Sequence, residues 1–447
     1  MLFAINTTKQ DNKMERTLLK DLQSKINCDV VVEGWVQEIR ILSKIKFIIL
    51  RDRSGDMQCI ALKNHTTDSI FEMINSIQKE SVVKIMGKIS ENKESRWGIE
   101  LLIGDLQVLN QSYPIPIDNT DKSATELEKR LDYRFLDTRN FKNRTIFNIR
   151  SKIARILTNF FDNEGFTNIN TPKMTCIGVE SGAALFEVKY FDRVMYLSQS
   201  PQVYKQMFVA GGFERVYEIG VVFRAENSNT TRHLTEFTGV DFEMGFIEDY
   251  TDVMDFIEKM IKQLLKELKQ SCVEELKLFD VNIEVPVQIP RIPMEDAKEY
   301  LRTKGKNLNP DDDLDAESEK ILGEWVKEKY DSDFVFVTLY PWSVRPFYHM
   351  RPDGRPDLTK SFDLLYNGVE IATGAQREHR YDILKSQTRD KGLDLDEMKE
   401  YSDIFKYGIP PHGGVGFGLD RITQRLLNLP NIREAVLLPR DPKRMKP

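Results

Sequence analysis

The sequence predicts an α+β protein in two parts, an N-terminal run of short strands and a larger region of helices and paired strands. Three observations lead there. Residues 1–112 alternate β-branched and aromatic runs with turn residues. Tyr113-Pro-Ile-Pro-Ile then reads as an extended linker, because each proline restrains its own φ and the residue before it. From Val216 to Glu248 two strands flank a polar loop, Ala225–Thr235, which suits antiparallel pairing better than βαβ crossovers. The predicted organisation is 1–112, a hinge over 113–140, and a main domain over 141–447.

The elements follow in order. Val30-Val31-Val32-Glu33-Gly34-Trp35-Val36 is a strand with Trp35 expected inside. Lys46–Arg53 and Met57–Leu62 form a hairpin around Arg53-Ser54-Gly55-Asp56. A helical stretch, Thr67–Ser76, precedes strands at Ser81–Gly87 and Ile99–Leu109. Five strands with a helix after the third is the ordering of an OB-fold β-barrel, a shape that often binds oligonucleotides. A polar helix, Ser123–Asp137, leads onward. Phe141–Gly165 carries Ile146, Ile149, Ile153, Ile156 and Phe160 at amphipathic spacing, and Phe166–Pro172 is a strand. Thr251–Gln270 is a second amphipathic helix, with Val253, Phe256, Met260, Leu264 and Leu268. The acidic stretch 307–320 is a solvated loop or helix start. Strands are expected at Asp333–Tyr340 and Ser361–Thr373, then a helical tail with Gly413–Gly418 near its beginning. No internal repeat is visible.

Composition narrows the class. At 447 residues, 40% hydrophobic and 30% charged, the chain has the make-up of a globular enzyme. A net charge of −6 excludes nucleic-acid binding by bulk charge, though not a local basic groove. No apolar run is long enough to span a membrane, and Met1-Leu-Phe-Ala-Ile-Asn turns polar too soon for a signal peptide. Cys28, Cys59, Cys176 and Cys272 fit no metal spacing and read as reduced thiols, so the expectation is a cytoplasmic protein without structural zinc.

The usual phosphate loops are missing. There is no GxxxxGK[ST], and Gly413-Gly-Val-Gly-Phe-Gly418 lacks GxGxxG spacing, so any nucleotide must be held by side chains on strands. In the 216–248 hairpin Thr238, Val240, Phe242 and Met244 share one face. Phe237, Gly239, Asp241 and Glu243 share the other, and Arg224 aligns with Glu218 and Gly220. That second face suits a structural ion-pair cluster or a ligand. The loop from Arg224 through Glu226 to Arg232-His233 favours phosphate, which arginine's planar fork matches. In Gly368–Arg377, Glu370 and Arg377 read as edge charges. Alternatively, Glu370 and Thr373 supply oxygen ligands for Mg²⁺, and Arg377 pairs with a substrate carboxylate. A third element, Gly416-Phe-Gly418-Leu-Asp-Arg421, leads a glycine-rich segment into a helix carrying an arginine.

Together these resemble the three signature motifs of class II aminoacyl-tRNA synthetases: the helix to Gly165 with the strand to Pro172, Phe223-Arg224-Ala-Glu226 through Arg232-His233 to Glu243, and Gly416–Arg421. Ser198-Gln-Ser-Pro-Gln202-Val-Tyr-Lys205-Gln resembles the amino-acid-binding segment of aspartyl-tRNA synthetases. Gly178–Phe186 resembles their loop that closes over aspartate, and Arg130–Arg139 their passage from hinge to catalytic domain. With Pro410-Pro-His412-Gly-Gly and Leu438-Pro-Arg440-Asp-Pro-Lys-Arg, the likeness is to the archaeal/eukaryotic-style class IIb aspartyl enzymes. It covers the chain past the first twenty-odd residues.

The resemblance implies an OB-fold β-barrel followed by a class II catalytic domain, an antiparallel sheet flanked by helices. It implies activation of L-aspartate with ATP and Mg²⁺ to aspartyl-adenylate, then transfer to tRNA. By likeness, Arg224 and Arg421 are the catalytic arginines. Arg224 clamps the α-phosphate, with Glu226 in the same ATP-binding set. Arg232 and His233 hold the outer phosphates, and Phe237 and Arg421 sandwich the adenine. Glu370 and Thr373 hold Mg²⁺. Asp241, Glu180 and Gln202 take the substrate ammonium, Arg377 and Lys205 take the side-chain carboxylate, and Thr373 belongs to the same aspartate-binding set. Asparagine would leave those two cations short of a partner, which costs on the order of several kcal/mol. Phe47, Gln58 and Glu100 would read the anticodon, with Phe47 as stacking platform or else as core. Gln37 leaves open whether the partner is the aspartate tRNA alone or the asparagine tRNA as well. The motif 1 element implies a homodimer, although its apolar face equally suits an internal core. Two alternatives stand: an asparaginyl-tRNA synthetase, against which Lys205 argues, and a non-catalytic paralogue, against which Arg224, Arg421, Glu370 and Asp241 argue.

Overall fold

The computed structural model describes residues 14–120, 125–176, 185–228 and 230–447. The chain divides into two compact units, Met1–Leu136 and Asp137–Pro447.

In the first unit β1 (Asp29–Ile41), β2 (Ile45–Arg51), β3 (Asp56–Leu62), β4 (Val82–Glu91) and β5 (Ile99–Asn110) surround an apolar core, with α1 (Asp68–Met73) between β3 and β4. Alternation decides what goes inside. Val30, Val32 and Val36 of β1 are buried in that core, so Trp35, one residue out of phase, is only half-buried. The β2–β3 turn is held by Asp52, whose buried carboxylate accepts from the Ser54 amide (2.6 Å) and the Leu19 amide (3.0 Å). The expectation of a β-barrel is corrected here. β1–β2, β2–β3, β1–β4 and β4–β5 are antiparallel ladders, but β3 meets β5 through two parallel residue pairs alone, Cys59↔Leu101 and Ile60↔Leu102. So short a parallel seam contributes little ladder, and the unit is an OB-like five-stranded sheet rather than an evenly laddered barrel.

The second unit is built on an eight-stranded sheet. Its strands are β6 (Thr167–Asn168), β7 (Arg215–Phe223), β8 (Glu236–Gly245), β9 (Arg291–Pro293), β10 (Phe334–Thr338), β11 (Ser361–Tyr366), β12 (Val369–Gln376) and β13 (His412–Gly418). They lie in the order β9-β10-β11-β12-β13-β8-β7-β6. The expected antiparallel sheet is therefore also corrected: the six inner strands are antiparallel, but both edge pairings, β6–β7 and β9–β10, are parallel. Two local readings change as well. Ser361–Thr373 is a hairpin that turns at Asn367-Gly368, both at positive φ, and Gly413–Gly418 lies inside strand β13.

The long helices α2 (Phe141–Asn163) and α4 (Tyr250–Ser271) share one core with the sheet. Between them in sequence lies the short helix α3 (Gln202–Phe208). Asn140 caps α2 by accepting from the Asn143 amide, and Gly165 at φ +76° ends it. Asp249 and Asp252 form a capping box on α4. Ile146, Ile149, Ile153, Ile156 and Phe160 all face this core, where Phe161 stacks on Tyr217 at 4.5 Å between centroids. Helix α5 (Ala316–Tyr330) follows the acidic stretch and is capped by Asp315, and α6 (Leu419–Leu426) continues directly from β13.

Candidate active site

Register places the polar residues in rows. Glu218, Asp241, Gly416, Thr373 and Asp363 pair laterally across β7, β8, β13, β12 and β11, so all five face one way. The next row holds Glu243, Gly414 and Ala375. On the opposite face Val240, Phe242, Val415 and Phe417 enter the core. The glycines keep the polar face open. A Cβ at Gly239 would lie 2.8 Å from Asp241 Oδ2, one at Gly416 3.2 Å from Asp241 Oδ1, and one at Gly414 would strike the Glu243 carboxylate and the Phe242 carbonyl. Above this face is a cleft of about 320 Å³, lined among others by Gln202, Arg224, Glu226, Arg232, His233, Phe237, Asp241, Glu370, Thr373, Arg377 and Arg421.

One end of the cleft is a buried charge cluster. Helix α3 turns Gln202, Lys205 and Gln206 inward at i, i+3 and i+4, and all three are buried. Lys205 is fully buried beneath the cleft. Its ammonium donates to Asp241 Oδ1 (3.0 Å) and the Val415 carbonyl (3.1 Å) and lies 3.7 Å from Glu243 Oε2. Arg377 donates to Glu243 Oε1 (2.9 Å), to Gln202 Oε1 (3.1 Å) and to His349 Nε2 (3.1 Å). Burial alone would raise the pKa of Glu243, but Arg377 and Lys205 hold it below the usual carboxylate value. Two cations thus face two carboxylates, and the neutral His349 leaves the arginine's charge in place, its own pKa pushed down by burial and by Arg377.

The other end gathers arginines around an aromatic ring. The Arg224 guanidinium lies 5.3 Å from the Phe237 ring centroid and 4.0 Å from Glu226. Arg232 donates to Glu319 Oε2 (3.0 Å), and the same oxygen accepts from the Glu370 amide (3.0 Å). Arg421 donates to the Glu370 carbonyl (2.9 Å) and lies 3.2 Å from its Oε1. His233 Nδ1 bonds Thr230 Oγ1 (2.6 Å), and burial followed by Arg421 and Arg232 lowers its pKa. Thr373 Oγ1 donates to Glu370 Oε1 (3.3 Å). Burial opposes the charge on Glu370, but Arg421, Arg224 and Arg345 keep its pKa low. Beside it Asp363, paired with Arg345 (2.7 Å), is pushed up to about 6 by burial, and its Oδ1 has no hydrogen-bond partner.

Sequence reasoning assigned no role to Glu319, Asp363, His349 or Glu243, although Glu243 was on the right face of its strand. Glu319 gave no usable signal, since it lies within an acidic run. Glu180 lies outside the described residues. Among the described residues no group of three or more His, Cys, Asp or Glu side chains could hold a metal ion, and no helix is long and apolar enough to cross a membrane.

In the first unit Phe47, Gln58 and Glu100 are half-buried and lie on the outer face, out of phase with the inward Ile48, Cys59 and Leu101. Gln58 donates to Glu100 Oε2 (3.3 Å), which also accepts from Asn92 (2.7 Å). Gln37 sits in a β-bulge between Val36 and Glu38.

Comparison with known proteins agrees over nearly the whole chain. Residues 126–442 match the family "tRNA synthetases class II (D, K and N)", and residues 30–109 match "OB-fold nucleic acid binding domain". The chain is 43% identical to the aspartate–tRNA(Asp/Asn) ligase of Aeropyrum pernix, over 96% of this chain and 98% of that one. It is 42% identical to the aspartate–tRNA(Asp) ligase of Pyrococcus furiosus, over 94% and 96%. The crystal structure of asparaginyl-tRNA synthetase from Pyrococcus horikoshii complexed with asparaginyl-adenylate superposes with a TM-score of 0.91 at 30% identity, covering 97% of this chain and 100% of that one.

Proposed function

The chain belongs to the class II tRNA synthetases of the D, K and N group, and from that premise we propose that it is an ATP-dependent aspartate–tRNA ligase. An aspartate carboxylate oxygen attacks the α-phosphorus of ATP, pyrophosphate leaves, and the aspartyl group then passes to a hydroxyl of the terminal adenosine of tRNA with release of AMP. The first step is a displacement that needs alignment and charge neutralisation rather than a covalent enzyme intermediate.

One observation carries the reading: a single cleft has a balanced charge cluster around Arg377 at one end and three arginines with His233 around Phe237 at the other. Arg224 is the proposed α-phosphate clamp, with Glu226 beside it. Arg232 and His233 are assigned to the outer phosphates, and Phe237 and Arg421 to the two sides of the adenine. Asp241 and Gln202, with Glu180, are assigned to the substrate ammonium. Arg377 faces the side-chain carboxylate, with Lys205 adding charge from beneath.

Glu370 and Thr373 suit Mg²⁺, since two hard oxygens plus substrate phosphates are its usual protein site, and the unpartnered Asp363 Oδ1 leaves an acceptor in the same row as Thr373. When bound, the ion would neutralise phosphate charge.

Residues 1–112 are assigned to the anticodon, through Phe47, Gln58 and Glu100, 113–140 to the hinge, and 141–447 to catalysis. We place the protein in the cytoplasm as a homodimer. The apolar face from Ile146 to Phe160 is spent on the chain's own core, so a second copy would have to use other surface.

The test is ATP–pyrophosphate exchange without tRNA, run with aspartate, with asparagine and with neither. Exchange with aspartate only is expected, and exchange with asparagine only would overturn the reading. The two ligases above differ in whether tRNA(Asn) is in their names, so charging of tRNA(Asp) and tRNA(Asn) transcripts in parallel decides between one and two tRNA partners.

A further inference from the structure

Asp420 touches none of the groups assigned to substrate, yet it is 1% exposed at the edge of the cleft, and both its oxygens are engaged. The reason lies in how the sheet ends. Strand β13 pairs with β8 as far as Gly418↔Gly239, and the chain then turns into α6 at Leu419. The Thr238 amide would next need an acceptor from β13, and none follows. Asp420 supplies it: its Oδ2 accepts from the Thr238 N–H at 2.9 Å. Its Oδ1 accepts from Arg150 Nε on α2 at 2.8 Å, and the same guanidinium donates to Thr238 Oγ1 at 2.8 Å. The three residues close a ring of hydrogen bonds linking α2, β8 and α6.

The neighbours of this ring give it a function. Thr238 directly follows Phe237, and Asp420 directly precedes Arg421. These are the aromatic ring and the guanidinium assigned above to opposite sides of the adenine. We infer that Asp420 is a positioning residue, which with Arg150 sets the spacing between Phe237 and Arg421 and so the fit of the nucleotide base. The inference rests on the proposed function. Nothing in the ring reaches the other end of the cleft, where Arg377, Glu243 and Gln202 hold one another. Its effect is therefore confined to ATP.

Asp420→Asn keeps the shape but removes the charge that binds Arg150. In ATP–pyrophosphate exchange D420N is expected to raise KM for ATP about tenfold, a loss of uniform nucleotide binding, while KM for aspartate stays within about twofold. A role in general stability alone would not separate the two constants. Equal rises in both, or an unchanged KM for ATP, would overturn the inference. Arg150→Lys, which keeps the charge and loses the fork, should shift the same constant in the same direction, and it carries the test if D420N does not fold. The unaltered chain is measured first: no aspartate-dependent exchange there would sink the proposed function, whereas normal exchange with an unselective D420N sinks only the positioning role.

Discussion

A buried imidazole shows how much a single residue can couple to pH. His412 is wholly buried beside the charge cluster. Its Nδ1 lies 2.9 Å from the Pro410 carbonyl, which can only accept, so Nδ1 carries the proton. Nε2 is then an acceptor for the Gln206 amide at 2.8 Å, and Gln206 Oε1 in turn accepts from the Tyr401 hydroxyl at 3.0 Å. A second proton on His412 would face the Gln206 N–H₂, and burial pushes its pKa down to about 4, against the pull of Glu243. In the unfolded chain the value returns to about 6.5. Between those values the unfolded state binds more protons, so stability rises with pH across the window and is lost as pH falls through it. The His412 contribution is on the order of 3 kcal/mol. In urea unfolding at pH 7 and pH 4.5, His412→Gln should lose less stability on acidification than the unaltered chain. Parallel losses would place the acid sensitivity in other groups.

At the scale of elements, β13 is the strand that local propensity argues against. Glycine weakens a strand taken alone, and Gly413–Gly418 reads by itself as the loop before a helix. It is a central strand because its neighbours need the volume its side chains would fill. Gly414→Ala should therefore cost about 2–4 kcal/mol, since the new Cβ meets the Phe242 carbonyl and displaces Glu243 from Arg377 and Lys205. At Gly418 the nearest side-chain atom is 3.4 Å away and φ is −85°, so Gly418→Ala should be nearly neutral in stability. Equal melting temperatures for the two variants would refute this account of the strand. The same contrast explains what could be read in advance. The two faces of β8 were legible because alternation is local, and α2 and α4 because their apolar stripes repeat. The turn at Asn367-Gly368 carried a standard hairpin signal inside a stretch that reads as one strand. The parallel edges β6 and β9 are only two and three residues long, too short for any pattern. Glu319 and Asp420 act on residues 51 to 270 positions away, and no spacing in the chain marks such a partner.

At the scale of the whole molecule, two units and two chemical steps allow the functions to be separated. The groups assigned to adenylate formation all lie in Asp137–Pro447, while Phe47, Gln58 and Glu100 lie in Met1–Leu136. Phe47 pairs with Arg40 and Ile60 on the outer face of the sheet, next to the inward Ile48, so its ring is only half-buried and is offered for stacking. Stacking of one base on an aromatic ring is worth about 1–3 kcal/mol. Phe47→Ala is therefore expected to leave aspartate-dependent pyrophosphate exchange unchanged and to lower kcat/KM for tRNA charging by about tenfold or more, chiefly through KM for tRNA. The unfolding midpoint supplies the control, because loss of a packed ring from a core costs about 3–5 kcal/mol. If exchange, charging and the midpoint all fall together, Phe47 belongs to the packing of its unit, and the stacking role proposed for it is lost.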